Sequence, residues 1–286
     1  MTFPVKAPNF QPMSWAERVE AWLNYRPPLE QEFLSADRDA IRRCVGHGES
    51  GLRMVVNIPA DGLLGFLADG RYKNAYELPF VAGSQRQPSA TRREVDELVQ
   101  LEPPQDYYFG AIALGGTGIR FYGEYCLALR PSSIDPQTRV FDRNSYDLIQ
   151  PPFKGHPGLK ALVRSLRGSW DADVVDMLTL KVLPELRNTT RFVTLGTVSD
   201  CALHDEDYLE VHRRGTFGPG EVEEVRQAPE EQAIQSRIVD NWAQGTPPAL
   251  AELVWLRRRA KVERALRRAR VKSRVVASSG RGSRWD

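Results

Sequence analysis

The fold is decided by stretches of sequence that read as β-strands, of which the first is RMVVNI at residues 53–58. Gly51 and Pro59 bound this run, and both residue types interrupt regular structure. Four later runs share its richness in β-branched and aromatic residues, which favour strands. They are YYFGAIAL, RFYGEYCLAL, RFVTLGTV and DYLEVHR, at residues 107–114, 120–129, 191–198 and 207–213. The sequence therefore predicts at least five strands.

Helical patterns lie before, between and after these runs. Ser14 and Glu17 have the spacing of a capping box, which predicts that a helix begins here. Its apolar residues recur at helical spacing and are Trp15, Val19, Trp22 and Leu23. Other helical patterns cover residues 36–44, 61–68, 91–101, 158–167, 172–182, 232–242 and 250–272. Because strands and helices neither alternate regularly nor form separate blocks, the order favours an α+β fold over a doubly wound sheet.

The composition is that of a globular protein, with 41% hydrophobic and 27% charged residues in a chain of 286. The three cysteines lack CxxC spacing, which argues against a disulfide framework and a cysteine zinc site, and we expect Cys126 and Cys201 to be buried structural thiols. No HExxH motif is present. Without an apolar run of about 18 residues or a secretory signal, we expect no membrane partner and a cytoplasmic location.

Charge is distributed very unevenly along the chain. Residues 251–286 contain twelve Lys or Arg and three Asp or Glu, a net charge of +9, so the first 250 residues carry −7 of the total of +2. The candidate nucleic-acid-binding residues in this basic helix are Arg257, Arg258, Arg259, Lys261, Arg264, Arg267 and Arg268. A narrow apolar stripe to dock it comprises Leu250, Leu253, Val254, Val262 and Leu266. Nucleic acid is one partner that fits, and an acidic antitoxin or chaperone, or solvent alone, remains an alternative.

The most informative polar residues lie in the last strand-like run. Its period of two places Tyr208, Glu210 and His212 on one face, with the intervening Leu209 and Val211 toward the core. A carboxylate between a phenol and an imidazole suits a cleft in which positive charge develops on a substrate. The alternative is a solvated strand face, which is common in antiparallel sheets.

Two further features have a functional and a structural interpretation. Arg53 begins the first strand, where it could hold a phosphate or carboxylate in bidentate fashion or be a surface charge at a strand edge. The run GGTG at residues 115–118 could cradle a phosphate, but no lysine follows it as in a P-loop. We therefore predict that it is a turn between two strands.

Five runs occur in an order that is typical of one family. They are DGRYKNAYE, TRREVDE, RFYGEY, RVFDRNS and YLEVHRRG, at residues 69–77, 91–97, 120–125, 139–145 and 208–215. On these runs, residues 50–226 resemble the mono-ADP-ribosyltransferase-like toxin domains of bacteria and phages. The resemblance implies a split antiparallel β-sheet core with flanking helices, and a cleft between two small sheets that binds NAD⁺.

The resemblance also implies roles for particular residues. Arg53 would hold the phosphates or ribose of NAD⁺, and Tyr72 or one of the nearby aromatic residues would stack on nicotinamide. Glu210 would bond to the ribose 2′-hydroxyl and stabilise the oxocarbenium ion as nicotinamide leaves, and no metal is required. Tyr208 occupies the position that helps to orient the acceptor in related enzymes, so it joins Glu210 as a candidate catalytic residue. The candidate NAD⁺-binding residues are Arg53, Arg71, Tyr72, Ser84 and Tyr122.

We therefore expect an N-terminal helical segment (1–48), an ADP-ribosyltransferase-like domain (49–245) and a basic helical tail (246–286). The expected function is NAD⁺-dependent, toxin-like mono-ADP-ribosylation of an intracellular macromolecule, with nucleic acid among the candidates. The alternative is a non-catalytic nucleic-acid-binding protein that uses the tail. A nuclease is disfavoured, because the sequence has neither an Asp/Glu cluster of metal-binding spacing nor paired catalytic histidines.

Overall fold

The computed structural model describes residues 13–46, 51–77, 88–187, 192–203 and 208–277. The described strands form one sheet in the order β5-β4-β6-β2-β1-β3-β7-β8. They are β1 (Arg53–Ile58), β2 (Tyr107–Ala113), β3 (Tyr125–Leu129), β4 (Arg139–Phe141), β5 (Arg167–Ser169), β6 (Glu210–Arg214), β7 (Val222–Gln227) and β8 (Lys272–Val275). Neighbouring strands are antiparallel except β7 and β8, which are parallel. The sheet is therefore mixed.

Helices surround this sheet, as expected for an α+β protein. They are α1 (Trp15–Asn24), α2 (Pro28–Gly46), α3 (Ala60–Asp69), α4 (Ala90–Leu98), α5 (Leu159–Ser165), α6 (Val174–Arg187), α7 (Leu195–Ala202), α8 (Pro229–Ala243) and α9 (Leu250–Ala269). The predicted capping box begins α1: the Glu17 N–H donates to Ser14 Oγ at 3.2 Å, and the Ser14 N–H donates to Glu17 Oε2 at 2.7 Å. No helix within the described ranges is long and apolar enough to span a membrane.

The main core lies on one face of the sheet. Alternation along β1 sends Met54, Val56 and Ile58 to this face, where they join a cluster with residues of α1, α2 and α6. Trp15, Val19 and Leu23 of α1 are buried in the same cluster, as the helical periodicity predicts.

Strand β1 is the place where the sheet forks. It pairs with β2 only from Arg53 to Val55, which lies opposite Ala111, and with β3 from Val55 to Ile58. The sequence-based expectation of two separate small sheets is corrected here, because β1 joins both halves by hydrogen bonds. Beyond Val55, however, β1 and β2 are no longer paired. Gly110 stands at this fork, where a Cβ atom would lie 2.6 Å from the carbonyl oxygen of Val55.

The predicted strand at residues 120–129 is wrong in its first half. Residues Arg120–Tyr122 form a 3₁₀ turn, and the strand begins at Tyr125. The cause is the side chain of Asn57, which donates to the carbonyls of Thr117 and Gly123 at 2.9 and 3.0 Å. The GGTG run at 115–118 connects β2 and β3, as predicted, but through this longer loop.

Two other elements differ from the sequence prediction. The predicted strand at 191–198 is wrong: residues 192–194 are irregular and helix α7 begins at Leu195, where the Thr197 N–H donates to Thr194 Oγ1 at 3.2 Å in a capping box. Residue 191 itself lies outside the described ranges. The basic helix ends at Ala269 rather than near Lys272, since Arg270 is left-handed with φ of 56°. The chain then adds β8 beside β7.

Candidate functional site

A cavity of about 490 Å³ lies at the fork between β1 and β2. Asn57 and Ile58 line it from β1, and Phe109 and Gly110 line it from β2. Its remaining walls include Tyr72, Lys73, Asn74, Tyr76, Arg92, Tyr122, Tyr146, Tyr208 and Glu210. Its volume lies in the range of small-molecule sites, which is about 300–1,000 Å³. Three of the sequence-predicted residues with aromatic side chains, Tyr72, Tyr122 and Tyr208, therefore meet Glu210 at one cavity.

Glu210 is the acidic centre of this cavity. It begins β6 between β2 and β4, opposite Ala111 and Phe141, and only 4% of its surface is exposed. The Ser145 N–H donates to Glu210 Oε2 at 2.5 Å, and Oε1 lies 3.6 Å from His212 Nε2. The alternative of a solvated strand face is thus wrong.

The Glu210 carboxylate is ionised at neutral pH. Burial by itself would raise its pKa, because it disfavours the charged form. His212, Arg92 and the Ser145 N–H favour the charged form and together hold the pKa below its ordinary value. The Glu210 carboxylate therefore presents a buried negative charge to a ligand in the cavity.

Tyr208 and Tyr122 lie beside this carboxylate. Their hydroxyl oxygens are 3.3 Å apart, which is within hydrogen-bond distance. Burial raises the pKa of both phenols, and the negative charge of Glu210 raises them further. Both side chains are consequently neutral donors or acceptors at physiological pH, with Tyr208 buried and Tyr122 47% exposed.

Tyr72 lies on another wall and already has an aromatic neighbour. Its ring stacks on that of Phe217, with centroids 4.8 Å apart and 10° between the planes. Burial raises the pKa of Tyr72 to about 12. Because Phe217 covers one face of this ring, a planar ligand could stack only on the other.

Arg92 lines the cavity but is not among the residues that the sequence predicts for the site, and the same is true of Lys73, Tyr76 and Tyr146. It extends from α4, with 11% of its side chain exposed, and its guanidinium carbon lies 3.6 Å from the ring centroid of Phe109. The buried Asp96 one turn later forms an ion pair with it and also accepts from the Tyr76 hydroxyl. Burial would lower the pKa of Arg92, but Asp96 and Glu210 raise it above its ordinary value. The i, i+4 spacing of Arg92 and Asp96 within the run TRREVDE was the available signal.

Two of the predicted NAD⁺-binding residues, Arg53 and Arg71, do not line the cavity. Arg53 lies on β1 two residues before Val55, where its Nε donates to Glu223 Oε2 at 2.5 Å and its Nη1 donates to the Leu52 carbonyl at 3.1 Å. This buried pairing, which an isolated strand pattern does not reveal, corrects the interpretation of Arg53 as a phosphate ligand in the cavity. Arg71 forms an ion pair with Glu77 outside the cavity. Ser84 lies outside the described residues.

The basic helix α9 is docked on the body rather than free. It contacts α3 through a face that buries Val262 and Leu266, but Leu250 and Val254 are exposed, so the predicted apolar stripe holds only in its C-terminal half. Arg259 is also buried, and the prediction that it binds nucleic acid is wrong. Its Nη2 donates to Gln227 Oε1 at 2.8 Å, and its Nη1 lies 3.4 Å from Glu231 Oε2.

The other predicted basic residues of α9 remain exposed. Four of them recur at i, i+4, i+7 and i+11, on the face opposite Val262 and Leu266. This basic stripe consists of Arg257, Lys261, Arg264 and Arg268, none of which forms an ion pair with another described residue. Arg267 lies at its side, and Arg258 Nη2 lies 3.4 Å from Asp61. The stripe is a solvent-facing row of positive charge.

Cys126 is the cysteine that lies in the sheet. Cys126 is fully buried in β3, and burial raises the pKa of its thiol to about 12. It is therefore a structural thiol, as the sequence predicts.

Comparison with known proteins yields no assignment beyond this geometry. The chain matches no protein-family model, no curated protein and no solved structure.

Proposed function

We propose that this chain is an NAD⁺-dependent mono-ADP-ribosyltransferase that modifies a macromolecule and is toxin-like in action. The observation that carries the proposal is the ionised Glu210 carboxylate, buried at a cavity of about 490 Å³ that is lined in part by aromatic side chains. The sequence runs that resemble ADP-ribosyltransferase-like domains support it independently, because two of them supply Tyr72 and Glu210 to this one cavity.

The electrostatics of the site suit the breaking of a nicotinamide–ribose bond. As that bond lengthens, positive charge develops on the ribose carbon and nicotinamide leaves as a neutral molecule. Two unit charges of opposite sign at about 4 Å, with an effective dielectric constant near 20, attract by about 4 kcal/mol. A preorganised Glu210 stabilises this charge without having to reorganise solvent, because the protein holds the carboxylate in place from the start.

The other walls fit the nicotinamide and ribose end of NAD⁺. Aromatic rings suit the planar nicotinamide, and the neutral hydroxyls of Tyr122 and Tyr208 suit a ribose. The described cations that line the cavity are Lys73 and Arg92, paired with Asp69 and Asp96, and these would face the pyrophosphate in place of Arg53.

The direct test is release of nicotinamide from NAD⁺ by the purified chain, together with transfer of labelled ADP-ribose to components of a bacterial lysate. Glu210→Gln keeps the shape of the side chain and removes its charge. We expect a loss of about 10²–10³ in turnover, as for the removal of one oxyanion-stabilising group in other enzymes. Glu94→Gln, an exposed carboxylate on α4, is the matched control and should retain activity.

Two results would contradict the proposal. One is a wild-type chain that neither releases nicotinamide nor transfers label. The other is a Glu210→Gln variant that is folded by circular dichroism and fully active.

The basic stripe favours a second candidate function, non-catalytic binding of nucleic acid. Four exposed cations without ion-pair partners among the described residues are the observation behind it. Under this alternative, Glu210→Gln would leave nucleic-acid binding unchanged, whereas neutralising the stripe would abolish it. The buried carboxylate at an aromatic cavity would then have no role, which is why we place transfer first.

A further inference from the structure

A second cavity, of about 430 Å³, adjoins the one that contains Glu210. Both are lined by Pro59 and Tyr122, so that Tyr122 stands between them. Tyr122 is also the cavity tyrosine whose hydroxyl contacts that of Tyr208. A group in the second cavity would therefore approach the Glu210 cavity past a half-exposed phenol.

A smaller cavity, of about 250 Å³, continues this path to helix α9. It shares Asp61 and Arg258 with the second cavity, and it is lined by Arg257 and Lys261 of the basic stripe. Three adjoining cavities thus lead from Glu210 to the basic stripe. The stripe spans twelve residues of helix, from Arg257 to Arg268, and eleven rises of about 1.5 Å each give roughly 16 Å.

The second cavity differs in chemistry from the stripe. Its aromatic side chains are Phe121, Tyr122 and Trp255. Its cations Arg120 and Arg258 face the carboxylates of Asp61, Glu124 and Glu231, so that it has no excess of positive charge. A phosphate is not favoured there. A nucleobase is favoured in this cavity, because its ring faces stack on aromatic side chains and its N–H groups can donate to carboxylates.

We propose that the acceptor of the ADP-ribosyl group is a single-stranded nucleic acid. Its phosphates lie along the basic stripe, and one of its bases enters the second cavity next to Tyr122. A base within a duplex cannot reach such a cavity without leaving its stack, which is the reason for a single strand. This inference rests on the proposed transferase function and names its substrate class.

The chemical step is balanced without any further reactant. A lone pair on the base forms the new bond to the ribose carbon. Nicotinamide leaves with the electron pair of the broken carbon–nitrogen bond, and the proton of the attacked base passes to solvent.

Binding is tested by fluorescence anisotropy with fluorescein-labelled single-stranded RNA and DNA 12-mers at 50–200 mM salt. One variant changes the four stripe residues, Arg257, Lys261, Arg264 and Arg268, to Gln. The control removes the same charge elsewhere by changing the exposed Arg43, Lys154, Lys160 and Arg164 to Gln. Each phosphate contact contributes about 0.7 to the salt slope for single strands, so the stripe variant should lose a slope of about 3.

For the wild type and the control, the slope of about 3 that the stripe contributes means that affinity falls by about fifty-fold as salt rises from 50 to 200 mM. Equal binding and equal slopes for the stripe variant and its control would overturn the proposal.

The base-binding part has its own variant. Trp255→Leu keeps an apolar side chain in α9 but removes the stacking surface, and we expect binding of the single strand to weaken by about 5- to 160-fold, the equivalent of 1–3 kcal/mol per stacked base. Binding of a duplex of the same sequence should change little. If a folded Trp255→Leu chain binds both single strand and duplex as the wild type does, the proposal that a base occupies the second cavity is wrong.

Transfer distinguishes this inference from the proposed function beneath it. With labelled NAD⁺ and a single-stranded oligonucleotide, we expect label on the oligonucleotide. The stripe variant should lose this label while it still releases nicotinamide to water. Label found only on proteins would overturn the nucleic-acid acceptor and leave the transferase proposal standing. A wild-type chain that binds the oligonucleotide but releases no nicotinamide would overturn the transferase proposal, and the acceptor role with it.

Discussion

Strand β6 and helix α9 both carry charged side chains at the regular spacing of their element, but these charges have opposite surroundings. In β6, the carboxylate of Glu210 is enclosed by β2, β4 and the 3₁₀ segment Ser145–Ile149. In α9, the four cations of the basic stripe face solvent, while Arg259 alone is turned inward. Neither periodicity nor charge decides the difference. The decisive factor is whether another element covers the polar face.

The consequence is a division of physical roles. A buried carboxylate interacts strongly with a charge beside it, because little water screens the interaction. An exposed row of cations acts over a Debye length of about 8–10 Å and weakens as salt is added. The first arrangement suits the stabilisation of a transition state, and the second suits the attraction of a polyanion from solution.

The largest expected effect on stability comes from the ion pair that borders β6. Arg92→Met would leave the buried Asp96 without its cation, and the breaking of one side of a buried pair typically costs about 3–5 kcal/mol. The double variant with Asp96→Asn removes both charges and should recover much of that loss. Urea denaturation of the wild type, both single variants and the double variant measures the coupling. If the losses in free energy of unfolding from the two single variants simply add in the double variant, Arg92 and Asp96 are not coupled as a buried ion pair.

Much of β6 and its site could be predicted from the sequence. The period of two in residues 208–212 places Tyr208 and Glu210 on one face and Leu209 and Val211 in the core, and the structure confirms both. Such alternation is a local property, which requires only that the segment is extended. The strands predicted at 53–58 and 107–114 are confirmed as β1 and β2 for another local reason, because each is a short run rich in apolar, β-branched or aromatic residues.

Long-range contacts account for what could not be predicted. The role of Asn57 in holding residues 117–123 depends on a partner about 60 residues away, and the run RFYGEY itself gives no sign of it. Arg53 and Glu223 are brought together from strands that lie on either side of β3. The run at 191–198 predicts a strand because it is rich in β-branched and aromatic residues, whereas the capping box of Thr194 and Thr197 begins helix α7 there.

A smaller effect separates two arginines within α9. Arg259→Met should destabilise the chain by about 1.5–3 kcal/mol, because its guanidinium bonds to Gln227 and Gln235 and pairs with Glu231 in a buried setting. Arg264→Met, on the exposed stripe, should change stability by no more than about 0.5 kcal/mol. Thermal or urea unfolding gives both values. Equal effects would mean that α9 is not docked through Arg259.

The smallest effect concerns the dependence of stability on pH. The pKa of Glu210 is lowered in the folded chain, while in the unfolded chain it should lie near the ordinary value of about 4.3. The unfolded state therefore binds the proton more readily. The stability that Glu210 contributes is present in full above about pH 4.3 and is lost as the pH falls through the lower folded pKa.

This prediction decides between two opposing physical effects at the same carboxylate. Burial alone raises the pKa of Glu210, whereas His212, Arg92 and the Ser145 N–H lower it. If the lowering effects prevail, the stability advantage of the wild type over Glu210→Gln shrinks as the pH falls from 7 to 3, by about 1.4 kcal/mol for each unit of pKa shift. Arg264→Gln should show no such trend. If the advantage grows toward acid instead, burial has prevailed, and Glu210 would be a proton donor rather than a stabiliser of positive charge.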